Sequence, residues 1–223
     1  MCGRFTLIAD PSTIQARFRI IMDRGYQPHY NIAPTHGVLT VGIHRGERTG
    51  EVMRWGLVPS WAKDPSVGYR MINARAETVG EKPSFRQALL KRRCLVPADG
   101  FFEWRGAGKM RVPLRFTLKS GELFAFAGLW EGWRQPDGEW LHTCTIITTA
   151  PNDLVTRIHD RMPVILRRDA EDVWLDPKMI DVALLRGMLV PYPTAEMEAR
   201  QVSTLVNSPQ NDSPECIEPV LAA

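Results

Sequence analysis

The residue with the most distinctive chemistry is Cys2, in the opening stretch Met1-Cys2-Gly3-Arg4-Phe5. Because Cys2 is small, we expect Met1 to be removed, which leaves Cys2 with a free α-amine and a thiol on neighbouring carbons. Ordinary pKa values of about 7.7–8.0 for the amine and about 8.5 for the thiol make both groups more reactive at neutral pH than a lysine amine. The amine can condense with an aldehyde to an imine, and the thiol can then close a five-membered thiazolidine ring.

Two other interpretations of Cys2 stay open from this residue alone. The amine can act as a base and the thiol as a nucleophile, as in N-terminal amidases. Alternatively, Cys2 is a small apolar residue at the start of a buried strand. Arg4 follows two positions later, and in a strand it would share a face with Cys2. That arrangement places a cation beside the reactive end, unless Arg4 is an ordinary solvated arginine.

Aromatic and basic residues between positions 55 and 77 indicate a nucleic-acid surface. Trp55 and Trp61 belong to a loop region that is followed by Asn73 and Arg75. Bases stack on such rings with roughly 1–3 kcal/mol per base, while arginines bind the backbone. Asn73 could hold an amine or a sugar hydroxyl by hydrogen bonds, or it could cap a turn. The competing interpretation for both tryptophans is packing in the core.

A candidate acid, Glu103, lies between aromatic residues in the run Phe101-Phe102-Glu103-Trp104. Aromatic neighbours remove water from a carboxyl group, and this desolvation raises its pKa toward the range that is useful for proton transfer. A glutamate on the solvent side of a half-exposed strand fits the same pattern.

A candidate base, His159, lies in the polar run 159–161. Histidine is suited to proton transfer near neutral pH. Asp160 could orient the ring and Arg161 could bind phosphate, or these two residues could pair with each other in a structural loop. Asn31 and Pro34, in an irregular stretch near the start, could shape the floor of the pocket or only a turn.

Composition fits one globular domain and excludes several classes of protein. The 223 residues are 44% hydrophobic and 24% charged, as in a chain with a single large core. No apolar stretch approaches the ~18 residues of a membrane span, and the start lacks a signal-peptide pattern. The four cysteines are widely spaced, which argues against a disulfide framework and against a zinc site. We expect a reduced, cytoplasmic protein with no metal and no cofactor.

The charge of the chain permits a nucleic-acid partner without requiring one. The formal net charge is +3, and 22 of the 28 basic residues are arginine. Arginine binds phosphate in a bidentate manner, but an arginine-rich coding bias explains the same count.

The apolar pattern predicts many strands and few helices. A helix is predicted to begin at Asp10-Pro11, to keep Ile21 and Met22 on its apolar face and to stop at Gly25. Shorter helical segments are predicted at 84–91, 152–157, 170–175 and 179–189. Strands are predicted at 38–44, 51–57, 93–98, 101–105, 112–118, 123–130 and 140–148, with turns at 45–50, 106–108, 120–121 and 136–138.

These elements predict a fold of the α+β class, in which one compact domain covers residues 1–206. Its core is expected to be β-rich, with antiparallel or mixed sheet in a barrel-like arrangement and helices at the periphery. Residues 207–223 form a Pro/Ser-rich tail without periodicity, for which we expect partial mobility.

Six motifs in order along the chain resemble those of the SRAP (SOS response-associated peptidase) family, also called the abasic site processing family. They are Met-Cys-Gly-Arg-Phe at 1–5, Tyr-Asn-Ile-Ala-Pro at 30–34, Trp-Gly-Leu-Val-Pro at 55–59, Asn-Ala-Arg-Ala-Glu at 73–77, Gly-Phe-Phe-Glu-Trp at 100–104 and Ile-His-Asp-Arg-Met-Pro at 158–163. The resemblance extends from residue 1 to about residue 206.

The resemblance implies a chemistry for the candidate residues. Cys2, after removal of Met1, would capture abasic sites in single-stranded DNA covalently as a thiazolidine. Asn73 would orient the cysteine amine and the opened sugar, and Glu103 would assist ring opening and proton transfer. His159 would act on the sugar oxygen as acid or base and in reversal of the cross-link.

The resemblance also implies a positively charged channel for single-stranded DNA. Arginines would bind the phosphates that flank the lesion, and Trp55 and Trp61 would stack on bases or act as a wedge. The implied DNA-binding set is Arg4, Asn31, Pro34, Trp55, Trp61, Arg75, Thr148, Arg161 and Met162. Two departures concern the aromatics: the family often has a tryptophan where Phe101 or Phe102 stands, and Trp61 is single where some relatives have two adjacent tryptophans.

The leading hypothesis is a DNA-repair enzyme of the SOS response that shields abasic sites, acts as a lyase if the reaction stops at the imine, and removes its own Met1. Its expected partner is single-stranded DNA with abasic sites, and we expect a monomer, near the nucleoid or replication fork if the source is bacterial. One alternative is an N-terminal-nucleophile cysteine peptidase in which Asn73 helps to hold the oxyanion. The other is a non-catalytic module that binds single-stranded or modified DNA.

Overall fold

The computed structural model describes residues 2–22, 26–106 and 111–220. The strands are β1 (Phe5–Leu7), β2 (Ile21–Met22), β3 (His29–Ile32), β4 (Gly37–His44), β5 (Glu47–Trp55), β6 (Asn73–Arg75), β7 (Arg93–Ala98), β8 (Gly100–Arg105), β9 (Val112–Leu118), β10 (Phe124–Arg134), β11 (Trp140–Thr149), β12 (Met162–Pro163), β13 (Ile165–Leu166) and β14 (Met197–Gln201). The α-helices are α1 (Pro11–Phe18), α2 (Arg86–Lys91), α3 (Glu171–Leu175) and α4 (Val182–Gly187). The predicted α+β class is confirmed.

The larger of two sheets closes on itself. Strands β11, β10, β7, β4 and β5 are neighbours in that order, and each consecutive pair is antiparallel. A parallel pairing of β5 with β11, at Arg54 with Thr143 and Trp55 with Cys144, completes the circuit. Closure removes the exposed strand edges that an open sheet would present. The core is therefore barrel-like and of mixed sheet, as the sequence predicted.

The smaller sheet has the order β14, β9, β8, β1, β3 and places the amino-terminal strand in its interior. Phe5 in β1 pairs with Phe101 on one side and with Ile32 on the other. Its ring packs edge-on against Trp55 and Phe126 of the barrel, with ring centroids 5.3 and 5.6 Å away. The two sheets thus share one core at Phe5.

Asp99, between β7 and β8, fixes β1 from the other end. Its half-buried carboxylate accepts hydrogen bonds from the Thr6 hydroxyl and the Ile8 N–H, both at 2.5 Å, and pairs with Arg115 at 2.9 Å. A Cβ at Gly100 would lie 2.6 Å from Nε of Arg115. The bend at Asp99 therefore also holds the start of the chain in its sheet.

The first predicted helix is shorter than expected. Helix α1 starts as predicted, with the Asp10 side chain accepting from the Thr13 N–H, but ends at Phe18, and Arg19 adopts a left-handed conformation at φ 54°. Ile21 and Met22 instead form β2, which pairs in parallel with β5. Pairing with the sheet edge outweighs the helical spacing here. Gly25, the predicted stop, lies outside the described residues.

Other differences are local. Residues 153–158 form consecutive turns rather than a helix, although the buried Asn152 side chain accepts from the N–H groups of Leu154 and Val155 as a helix N-cap does. The β4–β5 turn is tighter than predicted: Arg45 and Gly46, both with positive φ, join the strands directly. Such two-residue turns match the twist of antiparallel strands. The turn predicted at 106–108 lies partly outside the described residues.

The loop between β5 and β6 is pinned where two glycines cross. A Cβ at Gly68 would lie 2.6 Å from the carbonyl oxygen of Gly56, and a Cβ at Gly56 would lie 2.7 Å from that of Gly68. The Leu57 N–H donates to Met71 O at 3.1 Å nearby. This closed loop leads from the barrel strand β5 directly to Asn73.

The described part of the tail contacts the domain. The N–H groups of Tyr30 and Asn31 donate to the Asp212 carboxylate at 2.6 and 2.9 Å. Val202 forms a bridge with Pro219, and Cys216 is buried. Among the described residues, no helix combines the length and apolar character that a bilayer crossing requires.

We predict that Gly68→Ala destabilises the fold by on the order of 2 kcal/mol, because the new methyl group would meet a backbone oxygen that no rotamer change can move away. Urea denaturation monitored by circular dichroism measures the loss. Gly42→Ala is the matched control, since nothing lies within 4 Å of a Cβ at Gly42, and its effect should stay within about 0.5 kcal/mol. Equal urea midpoints for Gly68→Ala and Gly42→Ala would contradict the close approach of Gly56 and Gly68.

Candidate active site

Cys2 is fully buried and belongs to the main hydrophobic core. Its position follows from β1, which begins three residues later between β3 and β8. The N–H of Phe102 donates to the carbonyl of Arg4 at 2.9 Å, so the chain beside Cys2 runs along β8 toward Glu103. Burial just before β1 agrees with the interpretation of Cys2 as a small apolar residue at the start of a buried strand. Whether Cys2 also has a chemical role depends on the groups around it.

Glu103 is the charged neighbour of the Cys2 thiol. The side chain is buried in β8, and burial, together with the nearby Asp160 carboxylate, raises the pKa of Glu103 to about 7. A carboxyl group with this pKa is present in both protonation states at neutral pH, so it can give or accept a proton. The desolvation expected from the sequence is therefore present.

The Cys2 thiol is held in its neutral form. Burial raises the pKa of the thiol well above its usual range, and the charge of Glu103 raises it further. The backbone N–H of Arg4 opposes this shift but does not cancel it. A thiol in this environment reacts as a nucleophile only when a neighbouring base removes its proton.

His159 lies at the edge of the same region, close to Asp160. Its Nδ1 accepts the backbone N–H of Arg161 at 3.0 Å and lies 2.9 Å from Oδ1 of Asp160. Because Nδ1 is an acceptor, the neutral ring carries its proton on Nε2. Burial lowers the pKa of His159, which favours this neutral form. The Asp160 side chain is 87% exposed, so it adds negative charge near the His159 ring more than it fixes the orientation of that ring.

Asn73 opens β6, which pairs in parallel with β11 at Ile146. Its Nδ2 donates to the carbonyls of Ile72 and Ile146 at 3.0 and 3.4 Å. Its Oδ1 is buried and accepts no hydrogen bond from the residues that the structure describes. A buried acceptor without a donor is costly in a native fold, so the vacant Oδ1 calls for an explanation that packing alone does not give.

Arg161 is occupied by a partner that the sequence did not reveal. Its guanidinium binds the Glu77 carboxylate through two hydrogen bonds of 2.6 and 3.0 Å and donates to Thr148 O at 2.6 Å. The Arg161 charge lowers the pKa of Glu77, chiefly through the hydrogen bond between them. The fork that was expected to bind phosphate therefore holds a carboxylate of similar geometry. Glu77 is separated from Arg161 by 84 positions, and no local signal connects them.

Arg4 is likewise held within the protein. Its Nη1 donates to Asn31 Oδ1 at 2.6 Å and to Val206 O at 2.7 Å. The guanidinium lies over the Trp104 ring, 5.6 Å from its centroid, and Arg111 lies 5.7 Å from the same ring. Burial, and then the like charge of Arg111, lower the pKa of Arg4.

Asn31 anchors this arrangement rather than facing solvent. It is fully buried, and its Nδ2 donates to the carbonyls of Val206, Ser208 and Asn211. Pro34 is half-buried and follows β3 in a turn. In this structure the amide of Asn31 positions Arg4 and the carboxyl-terminal segment, and it offers no free group to DNA.

Two residues of the implied DNA-binding set lie in the hydrophobic core of the described conformation. Trp55 is fully buried, and its Nε1 donates to Ile72 O at 2.8 Å, because the β5–β11 pairing directs it into the barrel. Met162 is also fully buried, and its sulfur accepts the N–H of Asn152 at 3.4 Å. Neither can stack on a base or line a surface channel.

The remaining members of the set differ in accessibility. Trp61 is 64% exposed and Arg75 is exposed at the end of β6, so both can contact a ligand. Thr148 is buried and hydrogen-bonded to Arg161. Trp61 and Arg75 thus form the accessible part of the predicted surface.

A concavity of about 580 Å³ lies elsewhere and includes none of the predicted site residues. Two of its charged lining residues, Arg17 and Arg115, are paired with Glu171 and Asp99. Within the described ranges, no three His, Cys, Asp or Glu side chains come close enough together to hold a metal ion.

Fold and site together describe a β-rich protein in which a buried cysteine at the second position lies beside a buried carboxyl group. The family model described as "SOS response associated peptidase (SRAP)" matches residues 1–209. The chain belongs to this family, and the family resemblance of its six motifs is confirmed.

Curated relatives and solved structures agree with this assignment. The chain is 54% identical to Abasic site processing protein YoqW of Bacillus subtilis, over 98% of this chain and 99% of that protein. It is 38% identical to Abasic site processing protein HMCES of Gallus gallus, over 87% of this chain and 67% of that protein. A crystal structure of a protein from Bacteroides thetaiotaomicron superposes with a TM-score of 0.90 at 29% identity, covering 99% of this chain and 100% of that one.

The raised pKa of Glu103 predicts a pH-dependent loss of stability. Between pH 4.5 and pH 7 the native state binds a proton at Glu103 more tightly than the unfolded chain does, so the free energy of unfolding falls as pH rises. Glu103→Gln mimics the protonated form and should lose this dependence. Relative to the wild type, its stability should grow by on the order of 3 kcal/mol from pH 4.5 to pH 8.

Urea denaturation of both proteins at the two pH values measures this difference. Glu139→Gln, a change at an exposed carboxylate, is the control and should follow the wild type. A constant difference between Glu103→Gln and the wild type across this range would show that the Glu103 carboxyl is not desolvated.

Proposed function

We propose that this protein processes abasic sites in single-stranded DNA by covalent capture at Cys2. The observation that carries the proposal is the buried Glu103 carboxyl group, with a pKa of about 7, beside the Cys2 thiol. Relatives that cover nearly the whole chain bear the name abasic site processing protein, which supports the same substrate. An abasic sugar opens to an aldehyde, the group that a 1,2-aminothiol captures.

The reaction proceeds by one condensation and one addition after Met1 is removed. The Cys2 amine adds to the aldehyde carbon of the opened sugar, and loss of one water gives an imine. The Cys2 sulfur then adds to the imine carbon, while the thiol proton is transferred to the nitrogen. The product is a thiazolidine, with water as the only by-product, so the reaction needs no cofactor and no oxidant.

Glu103 supplies the proton transfers that these steps require. Opening of the deoxyribose ring needs an acid at the ring oxygen, and loss of water from the carbinolamine needs another protonation. Closure of the thiazolidine needs a base, because the Cys2 thiol is neutral in its buried site. One carboxyl group with a pKa of about 7 can serve in turn as acid and as base.

Asn73 and His159 orient the reactants around this centre. The Asn73 Oδ1 accepts a hydrogen bond from the Cys2 amine or from a hydroxyl of the opened sugar. His159, neutral and protonated on Nε2, donates to the sugar oxygen and takes part in reversal of the cross-link. If the imine were not closed, loss of a proton at the neighbouring carbon would expel the phosphate and cut the strand, which is a lyase activity.

DNA binding relies on the accessible members of the surface. Arg75 binds a backbone phosphate, and Trp61 stacks on a base or separates the strand. Arg161 binds a second phosphate by exchanging the Glu77 carboxylate for a phosphate of similar bidentate geometry. Arg4 remains with Asn31 and contributes positive potential near the lesion rather than a direct phosphate contact.

A cysteine peptidase is less well supported than aldehyde capture. Peptidases of this kind need an activated thiolate, and burial, followed by the neighbouring Glu103 carboxylate, raises the pKa of the Cys2 thiol. We therefore limit peptidase activity to the removal of Met1. A passive DNA-binding module would not need the buried Glu103 carboxyl group beside Cys2. We assign the activity to the DNA damage response, in a cytoplasmic monomer.

Cys2→Ala should abolish the heat-stable adduct while leaving imine chemistry intact. The alanine keeps its amine but has no sulfur to close the ring. Wild-type protein incubated with single-stranded DNA that bears one abasic site should give a slow band that survives heating on a denaturing gel. Cys2→Ala should give a band only after reduction with borohydride, which traps the imine.

Intact-mass analysis of the same samples establishes whether Met1 has been removed. Cys2→Ser is the matched control, since its hydroxyl forms a much weaker ring and should behave like Cys2→Ala. A heat-stable band from Cys2→Ala would refute the role of the thiol. No adduct from wild-type protein that has lost Met1 would overturn covalent capture itself.

Glu103→Gln should slow adduct formation by about 10²–10⁴-fold, the range that a positioned acid or base contributes. Single-turnover time courses at several pH values measure this effect. The wild-type profile should contain a transition near pH 7 that the variant lacks. An unchanged rate in Glu103→Gln would remove this residue from the mechanism while leaving Cys2 in place.

A further inference from the structure

An aromatic face outside the candidate site lies on the β10–β11 ribbon. Trp130, Gly132 and Arg134 pair with Cys144, His142 and Trp140 in turn. Because directly opposed residues share a face of the sheet, the rings of Trp130, His142 and Trp140 line the same side of the ribbon. The Trp130 and His142 rings meet edge-on at 5.6 Å.

Gly132 gives this face its concave form. A Cβ there would lie 3.3 Å from Cε3 of Trp140 and 3.6 Å from Cδ2 of His142, so both rings lie close over the bare backbone. With Ser60 and Arg92 at the margin, the rings line a groove of about 460 Å³. This volume falls within the ~300–1,000 Å³ of known ligand sites.

The Trp140 ring is the accessible wall of the groove. It is 62% exposed, whereas Trp130 and His142 are half-buried. A large aromatic side chain left this exposed next to a concavity is an available stacking surface.

The charged side chains of the groove are paired with each other. Arg92 binds Glu131 at 2.6 Å, and Nδ1 of His142 contacts the Glu51 carboxylate. Neither pair leaves a cation aimed into the groove for a phosphate, and the exposed Arg134 opposite Trp140 is not part of the groove lining. Recognition at this place therefore depends on the flat faces of the rings, which suits a nucleobase better than a backbone phosphate.

The groove is continuous with the surface assigned above to DNA. Ser60 lines the groove, and the next residue is the exposed Trp61. The Trp133 Nε1 donates to Ala62 O at 2.7 Å, which fastens this loop to the ribbon. A strand that contacts Trp61 therefore meets the groove without leaving the protein surface.

We propose that this groove is an accessory stacking subsite for a base that flanks the abasic site on the same single strand. The inference rests on the proposed function and extends it, since it assigns a second contact to the DNA. Stacking tolerates every base, so the subsite lengthens the footprint on the strand without adding sequence preference.

The test compares oligonucleotides of two lengths, each with an unreactive ring analogue of the abasic site. Fluorescence anisotropy gives the affinity of wild-type protein and Trp140→Ala for strands of about 20 and about 5 nucleotides. The first length exceeds the usual site size of one single-strand binding module, and the second is near its lower limit. Trp140→Ala should bind the long strand about tenfold more weakly and the short strand as tightly as the wild type. Trp140→Phe should restore most of the loss.

Salt dependence separates stacking from charge. Trp140→Ala should leave the slope of log affinity against log salt unchanged, whereas Arg75→Ala should reduce it by about 0.7, as for one phosphate contact on a single strand. Ile180→Ala removes another exposed apolar side chain, outside the groove, and should bind both strands like the wild type.

The outcomes distinguish this inference from the proposed function. Equal affinity of wild type and Trp140→Ala for the long strand, or equal losses on both lengths, overturns the subsite even if capture of abasic DNA proceeds normally. Wild-type protein that neither binds single-stranded DNA nor forms an adduct overturns the proposed function, and the subsite with it.

Discussion

The packing of Phe5 between two sheets is the constraint on which the site depends. Its backbone joins β3 and β8, while its ring contacts Trp55 and Phe126 of the barrel at 5.3 and 5.6 Å. Aromatic contacts of this kind contribute beyond the area that they bury. Residues at a chain terminus are ordinarily poorly ordered unless something ties them down. Phe5 does so here, together with the bonds of Thr6 and Ile8 to Asp99, and Cys2 lies three positions earlier on the same fixed segment.

Burial then sets the chemistry of Cys2 and Glu103. Water is excluded from both groups, so each favours its neutral form, and the carboxylate beside the thiol adds to the effect. The result is an acid of intermediate strength next to a nucleophile that stays protonated until it is needed. Such a pair suits a reaction in which protons move back and forth at one carbon, and it is poorly suited to a thiolate-dependent attack on an amide.

The arginines near the site are organised before any ligand arrives. Arg161 is held by Glu77, and Arg4 by Asn31 and the Val206 carbonyl. Ordered side chains lose less entropy on binding than free ones, although Arg161 must give up a carboxylate to take a phosphate. Because the carboxyl-terminal segment supplies the carbonyl that holds Arg4, that segment contributes to the electrostatics around Cys2 from more than 200 positions away.

The sequence by itself determined the α+β class, the hairpins, the family and the chemistry available to Cys2 and Glu103, because these depend on residue type and on short-range patterns. Only the tertiary structure decided where the side chains lie. Trp55 entered the core because β5 closes the barrel on β11, and helix α1 gave way to β2 where a sheet edge was available. The partner of Arg161 lies 84 positions away, and local sequence carries no information about contacts at that separation.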